Sequence, residues 1–377
     1  KCYMVTAIVF IIILGALIFV HELGHFMVAR RNGVKADEFG FGFPPRMAGF
    51  VKDEKTGKYK FVWGNKEIQS KNTVYSINWI PLGGFVKIKG ENGGEIEESD
   101  SFASKKAWPR VKILAAGVVM NFIFAWFLIS LALWIGAPEA VENKDANLPG
   151  AKIQITEVMP DSPAQKAGIQ IGDEIMKSSD RESFASVSDL QDYIGTNSGK
   201  EISLEVRRGN EVFPIKVTPA KNETGNKGMI GVGLAQTAIV AYPFFEAIWK
   251  GAVTTYEITM LILAALGGII VSLFAGNGVG ADVSGPIGIA ILTKQVATLG
   301  FVYILQFAAL LSINLGIINA LPIPALDGGR ILFILIEKIK GSPISHKTEH
   351  MFHTIGFMLL ILLMILVTLR DVVKIIK

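Results

Sequence analysis

The sequence predicts a polytopic α-helical membrane protein of about four transmembrane helices, with a membrane-associated β-hairpin region and one inserted α+β domain. Three observations predict it. Half of the 377 residues are apolar and the mean hydropathy is +0.43, beyond an ordinary soluble enzyme. Four stretches are long and apolar enough for the roughly 30 Å core of a bilayer. Between the second and third of them, residues 152–219 alternate apolar and polar side chains as soluble strands do.

The first span, about Met4 to Ala29, lies in a segment 1–32 and carries His21-Glu22-Leu23-Gly24-His25 in its last third. On a helix His21 and His25 share one face, so both imidazoles can reach one metal ion, while Glu22 beside them can take a proton from a water at that metal. Ionisable groups are costly in lipid unless they pair or ligate, so this placement favours a metal site over coincidence. Lys1 and the apolar run resemble a signal peptide, but no small-x-small cleavage site follows and an uncleaved span is expected.

Residues 33–107 form the β-hairpin and loop region. Phe39 to Pro45 and Val74 to Gly90 are aromatic, Gly-rich and partly alternating, as expected of a hairpin dipping into the bilayer edge. The Lys- and Glu-rich stretches 52–71 and 91–100 read as solvated loops. The second span, about Val111 to Ile135, lies in 108–137. Arg30 and Arg31 end the first span, and Lys105, Lys106, Arg110 and Lys112 open the second. The positive-inside tendency therefore sets these ends in the cytoplasm and the N-terminus and residues 138–240 outside. Arg370, Lys374 and Lys377 then lie outside, against the tendency, and the first helices are taken to dominate.

Within 138–240, Lys152–Val158 reads as a strand and Pro160 to Gly168 as a turn feeding a short helix. Val187–Ile194 has helical spacing, and Glu201–Arg208 with Val212–Pro219 makes a hairpin. This order, with Ser162-Pro-Ala and Ile169 to Ile175 as S-P-A-x-x-A-G-I-x-x-G-D-x-I, resembles a bacterial PDZ domain. The resemblance implies a carboxylate-binding loop at Gly228-Met-Ile-Gly231-Val-Gly233 and peptide C-termini as ligands. Segment 241–298 contains Ile258–Phe274, apolar but rich in small residues. It fits an interfacial or half-inserted helix as well as a fifth span.

The third span, about Phe301 to Leu321, lies in 299–341, and the fourth, about Phe352 to Leu369, in 342–377. A catalytic zinc takes three protein ligands and leaves one position open. Asp327 is the only acidic residue between Asp282 and Glu337, and Pro322 and Pro324 break the third span just before it. A helix broken deep in a membrane fits a metal-binding carboxylate better than a helix cap. His346, His350 and His353 compete for the third place, but their polar surroundings read as the exposed start of the fourth helix.

Taken together, His21-Glu-Leu-Gly-His25, Gly40 to Pro44, Pro81 to Lys87, the PDZ-like block, Ser284 to Ile289 and Asn319 to Gly329 stand in the order of the site-2 proteases. The chain most resembles bacterial regulator-of-sigma-E proteases in their single-PDZ form. That resemblance implies one zinc per chain held by His21, His25 and Asp327, with Glu22 as general base. It also sets Asn314 and Asn319 near the scissile segment. The implied activity is hydrolysis of peptide bonds inside transmembrane segments of single-span proteins already trimmed outside. Anti-sigma factors and remnant signal peptides are such substrates. The setting is the bacterial inner membrane, with the active site toward the cytoplasm.

Cys2 is the only cysteine, which excludes an intramolecular disulfide and a cysteine-based metal site. A net charge of +4, clustered beside apolar segments, speaks for membrane orientation rather than nucleic-acid binding. Two other classes are weighed: a non-proteolytic PDZ scaffold with a vestigial zinc site, and a metal transporter. The intact Glu22 speaks against the first, and convergence of the ionisable groups on one site against the second.

Overall fold

The computed structural model describes residues 2–66, 68, 70–91, 97–140, 151–209, 211–221, 227–275, 285–342 and 344–376. They fall into two units: residues 1–129, 250–293 and 306–377 form the first, and residues 130–249 and 294–305 the second.

The first unit opens with α1 (Cys2–Arg31), apolar all round rather than along one stripe, as lipid-facing helices are. Gly33 adopts φ +66, which lets Val34 N–H return to the Ala29 carbonyl at 2.9 Å and ends the helix. Three antiparallel strands follow: β1 (Ala36–Lys52), β2 (Tyr59–Trp63) and β3 (Val74–Ile88), in the spatial order β2-β1-β3. The long β1 folds over the start of β3, so that Tyr75 is partnered by both Phe39 and Phe50. This sheet packs on α1, with Phe26 stacked on Phe39 at 4.5 Å. The stretch 52–71, expected to be a solvated loop, contains β2, because Tyr59, Phe61 and Trp63 alternate and extend the aromatic face of β1.

Helix α2 (Ala107–Ile135) runs antiparallel to α1, and a Cβ on Gly24 would stand 2.4 Å from the Ala116 carbonyl oxygen. A glycine here permits the helices to touch through their backbones. The second unit begins within α2 and continues through β4 (Ala137–Ala140), β5 (Lys152–Val158), α3 (Pro163–Lys166), β6 (Glu174–Ser178), α4 (Val187–Thr196), β7 (Ile202–Arg208) and β8 (Glu211–Val217). It ends with β9 (Ala220–Lys221), β10 (Gly228–Met229) and β11 (Val232–Val240). Six of these strands make one antiparallel sheet in the order β4-β11-β5-β6-β7-β8. Its core buries Ile155, Leu190, Leu204 and Val206. Ser162 and Ser186 cap α3 and α4 with their hydroxyls. Asp173 is fully buried and holds the Arg208 guanidinium through two contacts of 2.7 Å, joining the start of β6 to the end of β7.

The remaining helices are α5 (Phe244–Phe274), α6 (Pro286–Leu299), α7 (Phe301–Ala320), α8 (Asp327–Lys340) and α9 (His346–Ile376). Among the described residues five helices are long and apolar enough to span: Thr6–Arg31, Ala107–Ile135, Phe244–Ser272, Phe301–Ala320 and Lys347–Val373. The count of about four therefore becomes five by length and composition. The added helix starts well before Ile258, because Phe244–Glu257 continues the apolar face with no proline or glycine break strong enough to stop it.

Between α7 and α8 the chain turns sharply at Pro322–Leu326. Ala325 takes φ +77, and its N–H donates to His353 Nδ1 at 2.8 Å. His353, expected to be exposed, is half-buried against this turn and against Phe333. Its sequence neighbours are polar, but α9 presents it about two turns in, close to Gly356, whose absent side chain lets Pro324 pack onto the helix.

Candidate metal centre

Three side chains from two helices of the first unit meet within it. His21 and His25 lie one turn apart on α1, and Asp327 opens α8. The two Nε2 atoms are 3.1 Å apart, and Asp327 Oδ2 stands 3.1 Å from His21 Nε2 and 3.3 Å from His25 Nε2. Both histidines are buried and Asp327 is half-buried. Asp327 does not cap α8: the capping residue is Leu326 and no side-chain cap bond is made. Its Oδ2 is instead buried without a hydrogen-bond partner among the described residues.

The backbone brings this carboxylate in through a tight approach. A Cβ on Gly328 would fall 2.3 Å from the carbonyl oxygens of Ala320 and Leu321, and one on Gly329 would fall 2.2 Å from that of Ile323. Only glycines allow α8 to start so close to the end of α7. From the other side α2 leaves room for the rings, since a Cβ on Gly117 would lie 2.4 Å from His25 Nε2.

Each imidazole is oriented by its second nitrogen. His25 Nδ1 lies 2.8 Å from the Ile113 carbonyl, which accepts only an N–H, so the His25 lone pair is on Nε2. His21 Nδ1 lies 3.1 Å from the side-chain amide of Asn121, a fully buried residue of α2. Two ring nitrogens and a carboxylate oxygen thus face one point, all within 4.8 Å of one another. Tetrahedral zinc with ligands at about 2.0–2.1 Å makes a ligand triangle with edges near 3.3 Å. The observed edges of 3.1, 3.1 and 3.3 Å fit that triangle. Two nitrogens and one oxygen are also a donor set zinc takes in catalytic sites. The residues therefore fit the metal.

A cavity of about 190 Å³ opens on the group. Glu22 lines it with His21, His25 and Asp327, and Phe85, Val86 and Leu114 supply apolar walls. Glu91 closes one side, where it pairs with Arg330 of α8.

Of the other residues singled out in the sequence, Asn314 turns its amide to its own helix and donates to the Leu310 carbonyl at 2.9 Å. Asn319 lies half-buried on the last turn of α7, and neither asparagine lines the cavity. In the second unit a 330 Å³ groove between α4 and the β10–β11 segment has Gly228 and Gly231 in its wall, whereas Gly233 lies outside it. Gly231 takes φ +75, and a Cβ there would meet that of Ser162 at 2.5 Å. Sequence reasoning missed Gly117 and Asn121. An asparagine in the middle of an apolar span was the available signal.

The family model described as peptidase family M50 matches residues 9–363. The regulator of sigma-W protease RasP of Bacillus subtilis is 32% identical over 97% of the chain and 98% of its own length. The zinc metalloprotease RasP of Geobacillus kaustophilus is 31% identical, covering 98% of each. That of Oceanobacillus iheyensis is 30% identical over 98% of the chain and 99% of its own length.

Proposed function

The chain belongs to peptidase family M50, and from that premise we propose that it is a zinc metalloprotease hydrolysing peptide bonds inside transmembrane segments of single-span membrane proteins. One observation carries the reading: His21, His25 and Asp327 converge on one point within an apolar helix bundle, with Glu22 in the same cavity. His21, His25 and Asp327 would hold the zinc. The metal, when bound, supplies Lewis acidity and the means of making water nucleophilic at neutral pH.

The chain's own groups do the rest. Glu22 takes the proton of the attacking water and passes it to the leaving amide nitrogen. Phe85, Val86 and Leu114 keep bulk water from the cavity, which strengthens every charge interaction there. A substrate helix hides its carbonyls in its own hydrogen bonds and must unwind before it can be cut. Asn319 and Asn314 would hold freed backbone groups of a substrate lying along α7, Asn314 by releasing the Leu310 carbonyl. The aromatic β-hairpin, with Phe41, Phe43 and Trp79 exposed, would accept the unwound segment as an added strand while resting in the bilayer edge.

Four crossings suit this site better than five. His21, His25 and Asp327 lie toward the C-terminal ends of α1 and α7, so both helices cross in the same direction. The chain between α2 and α7 must then cross an even number of times. A crossing by α5 would need a return by α6, whose 14 residues reach only about 21 Å against a core of about 30 Å. Asp371, near the far end of α9, also accepts the N–H groups of Gly285 and Gly288 at 2.9 Å, which ties the start of α6 to that end of α9. In this reading α5 lies half-inserted. Basic residues at the ends of α1 and α2 favour a cytoplasmic site and an extracytoplasmic second unit in the bacterial inner membrane.

The second unit is read as a PDZ domain, with the groove at Gly228 and Gly231 as a seat for peptide C-termini of trimmed substrates. The regulator name of the Bacillus subtilis relative points to anti-sigma factors as one substrate class. The test is reconstitution in liposomes with single-span substrates, comparing the wild type with Glu22→Gln. Loss of cleavage with zinc and fold retained supports the enzyme; equal cleavage refutes the role of Glu22. Binding of the substrate without cleavage by the wild type would favour a scaffold.

A further inference from the structure

We infer that Asn121 fixes the ring proton of His21, presenting its side-chain oxygen to Nδ1–H so that Nε2 keeps its lone pair for the metal. The inference rests on the zinc reading of the site. Asn121 is fully buried in the middle of α2, where an amide has no solvent to turn to. Its side-chain nitrogen donates to His21 Nδ1 at 3.1 Å, while its oxygen is buried without a partner among the described residues. An orphaned buried acceptor is costly, because its desolvation is not repaid by a bond. That arrangement suits a metal-free ring protonated on Nε2 and donating to the lone pair of His25 Nε2, 3.1 Å away. Once a metal takes the Nε2 lone pair, the proton must sit on Nδ1, and a donor facing it is repelled. Amide oxygen and nitrogen exchange places by a half-turn about one bond. The turned amide gives Nδ1–H an acceptor, and the orphaned oxygen gains its bond.

The surroundings hold Asn121 in place for this task. Ser312 of α7, itself fully buried, donates its hydroxyl to the Asn121 backbone carbonyl at 2.8 Å. A Cβ on Gly316 would stand 3.4 Å from the Asn121 Cβ, so α7 and α2 are in close contact at this level. His25 receives the same service from the Ile113 backbone carbonyl. The two ligands therefore differ: His25 is oriented by backbone, His21 by one replaceable side chain. Second partners of ligating histidines fix the tautomer and raise ligand basicity, and their loss weakens metal binding by about 10–100-fold.

Zinc affinity of the full chain in detergent, measured by equilibrium competition with a chelator, tests this directly. Asn121→Leu keeps the volume and removes the acceptor, and should weaken zinc by about 10–100-fold. Asn121→Asp keeps an acceptor oxygen and should stay within a few-fold of wild type. Leu at wild-type affinity, or Asp as weak as Leu, overturns the inference. A wild type that binds no zinc overturns the metal reading beneath it. Thermal unfolding of the metal-free variants shows that they fold. Independently of any substitution, nitrogen NMR of labelled histidine in the zinc-loaded wild type should find His21 protonated on Nδ1; protonation on Nε2 overturns the inference.

Discussion

Gly117 offers the sharpest test of the geometry, because one methyl group placed there should displace the metal's ligands without touching them chemically. In Gly117→Ala the new Cβ stands 2.4 Å from His25 Nε2, 2.7 Å from His25 Cε1 and 2.7 Å from His21 Cε1. Ordinary carbon contacts begin near about 3.5 Å, so the rings must retreat by roughly 1 Å. Metal sites tolerate ligand shifts of about 0.2 Å, several times less. The methyl group acts on both histidines at once, so the loss should reach at least about 100-fold, the upper end of what a lost second partner causes. That fold-change corresponds to about 2.7 kcal/mol of zinc binding. The assay is chelator competition on the full chain, with metal content read after dialysis. Gly267→Ala is the control: among the described residues no atom outside its own turn of helix lies within 4 Å of its Cβ, and its zinc affinity should equal wild type. Gly117→Ala with unchanged affinity would refute the placement of α2 against the two rings.

Other outcomes follow from the same physics. Asp173→Ala leaves Arg208 facing an emptied, buried site and should destabilise the second unit by about 3–5 kcal/mol, read as lost hydrogen-exchange protection in β6 and β7. His353→Leu strands the Ala325 N–H and should cost about 1–3 kcal/mol in thermal unfolding, whereas His353→Asn, which can offer an oxygen near the Nδ1 position, should recover part of it. Removing zinc from the wild type should lower its unfolding temperature, and restoring it should raise the temperature with the logarithm of free zinc. No shift in either direction would mean that the site is empty under those conditions.

The readable parts of this molecule were those whose cause is local. His21 and His25 share a helix face by spacing alone, and Asp327 stood out as a single carboxylate after two prolines in an apolar stretch. What stayed hidden depends on a second segment. Gly117 and Asn121 matter only because α2 lies against α1, and one apolar span does not announce its neighbour. His353 looked solvated because its sequence neighbours are polar, yet the turn it holds lies 28 residues earlier. Strand β2 was masked by Lys60 among its aromatics and by the charged stretch around it, and its register on β1 reveals the face the aromatics share. Asn314 has a partner in its own helix, a bond that its sequence position leaves open between helix and substrate.

The central claim is that the bond cut lies at the depth of His21, His25 and Asp327, inside a transmembrane segment. Mass spectrometry of the fragments released in liposomes from a trimmed single-span substrate measures this directly. The account predicts a break within the apolar segment, abolished by a zinc chelator and restored by added zinc. A break confined to the soluble flanks, or one indifferent to the chelator, would contradict it.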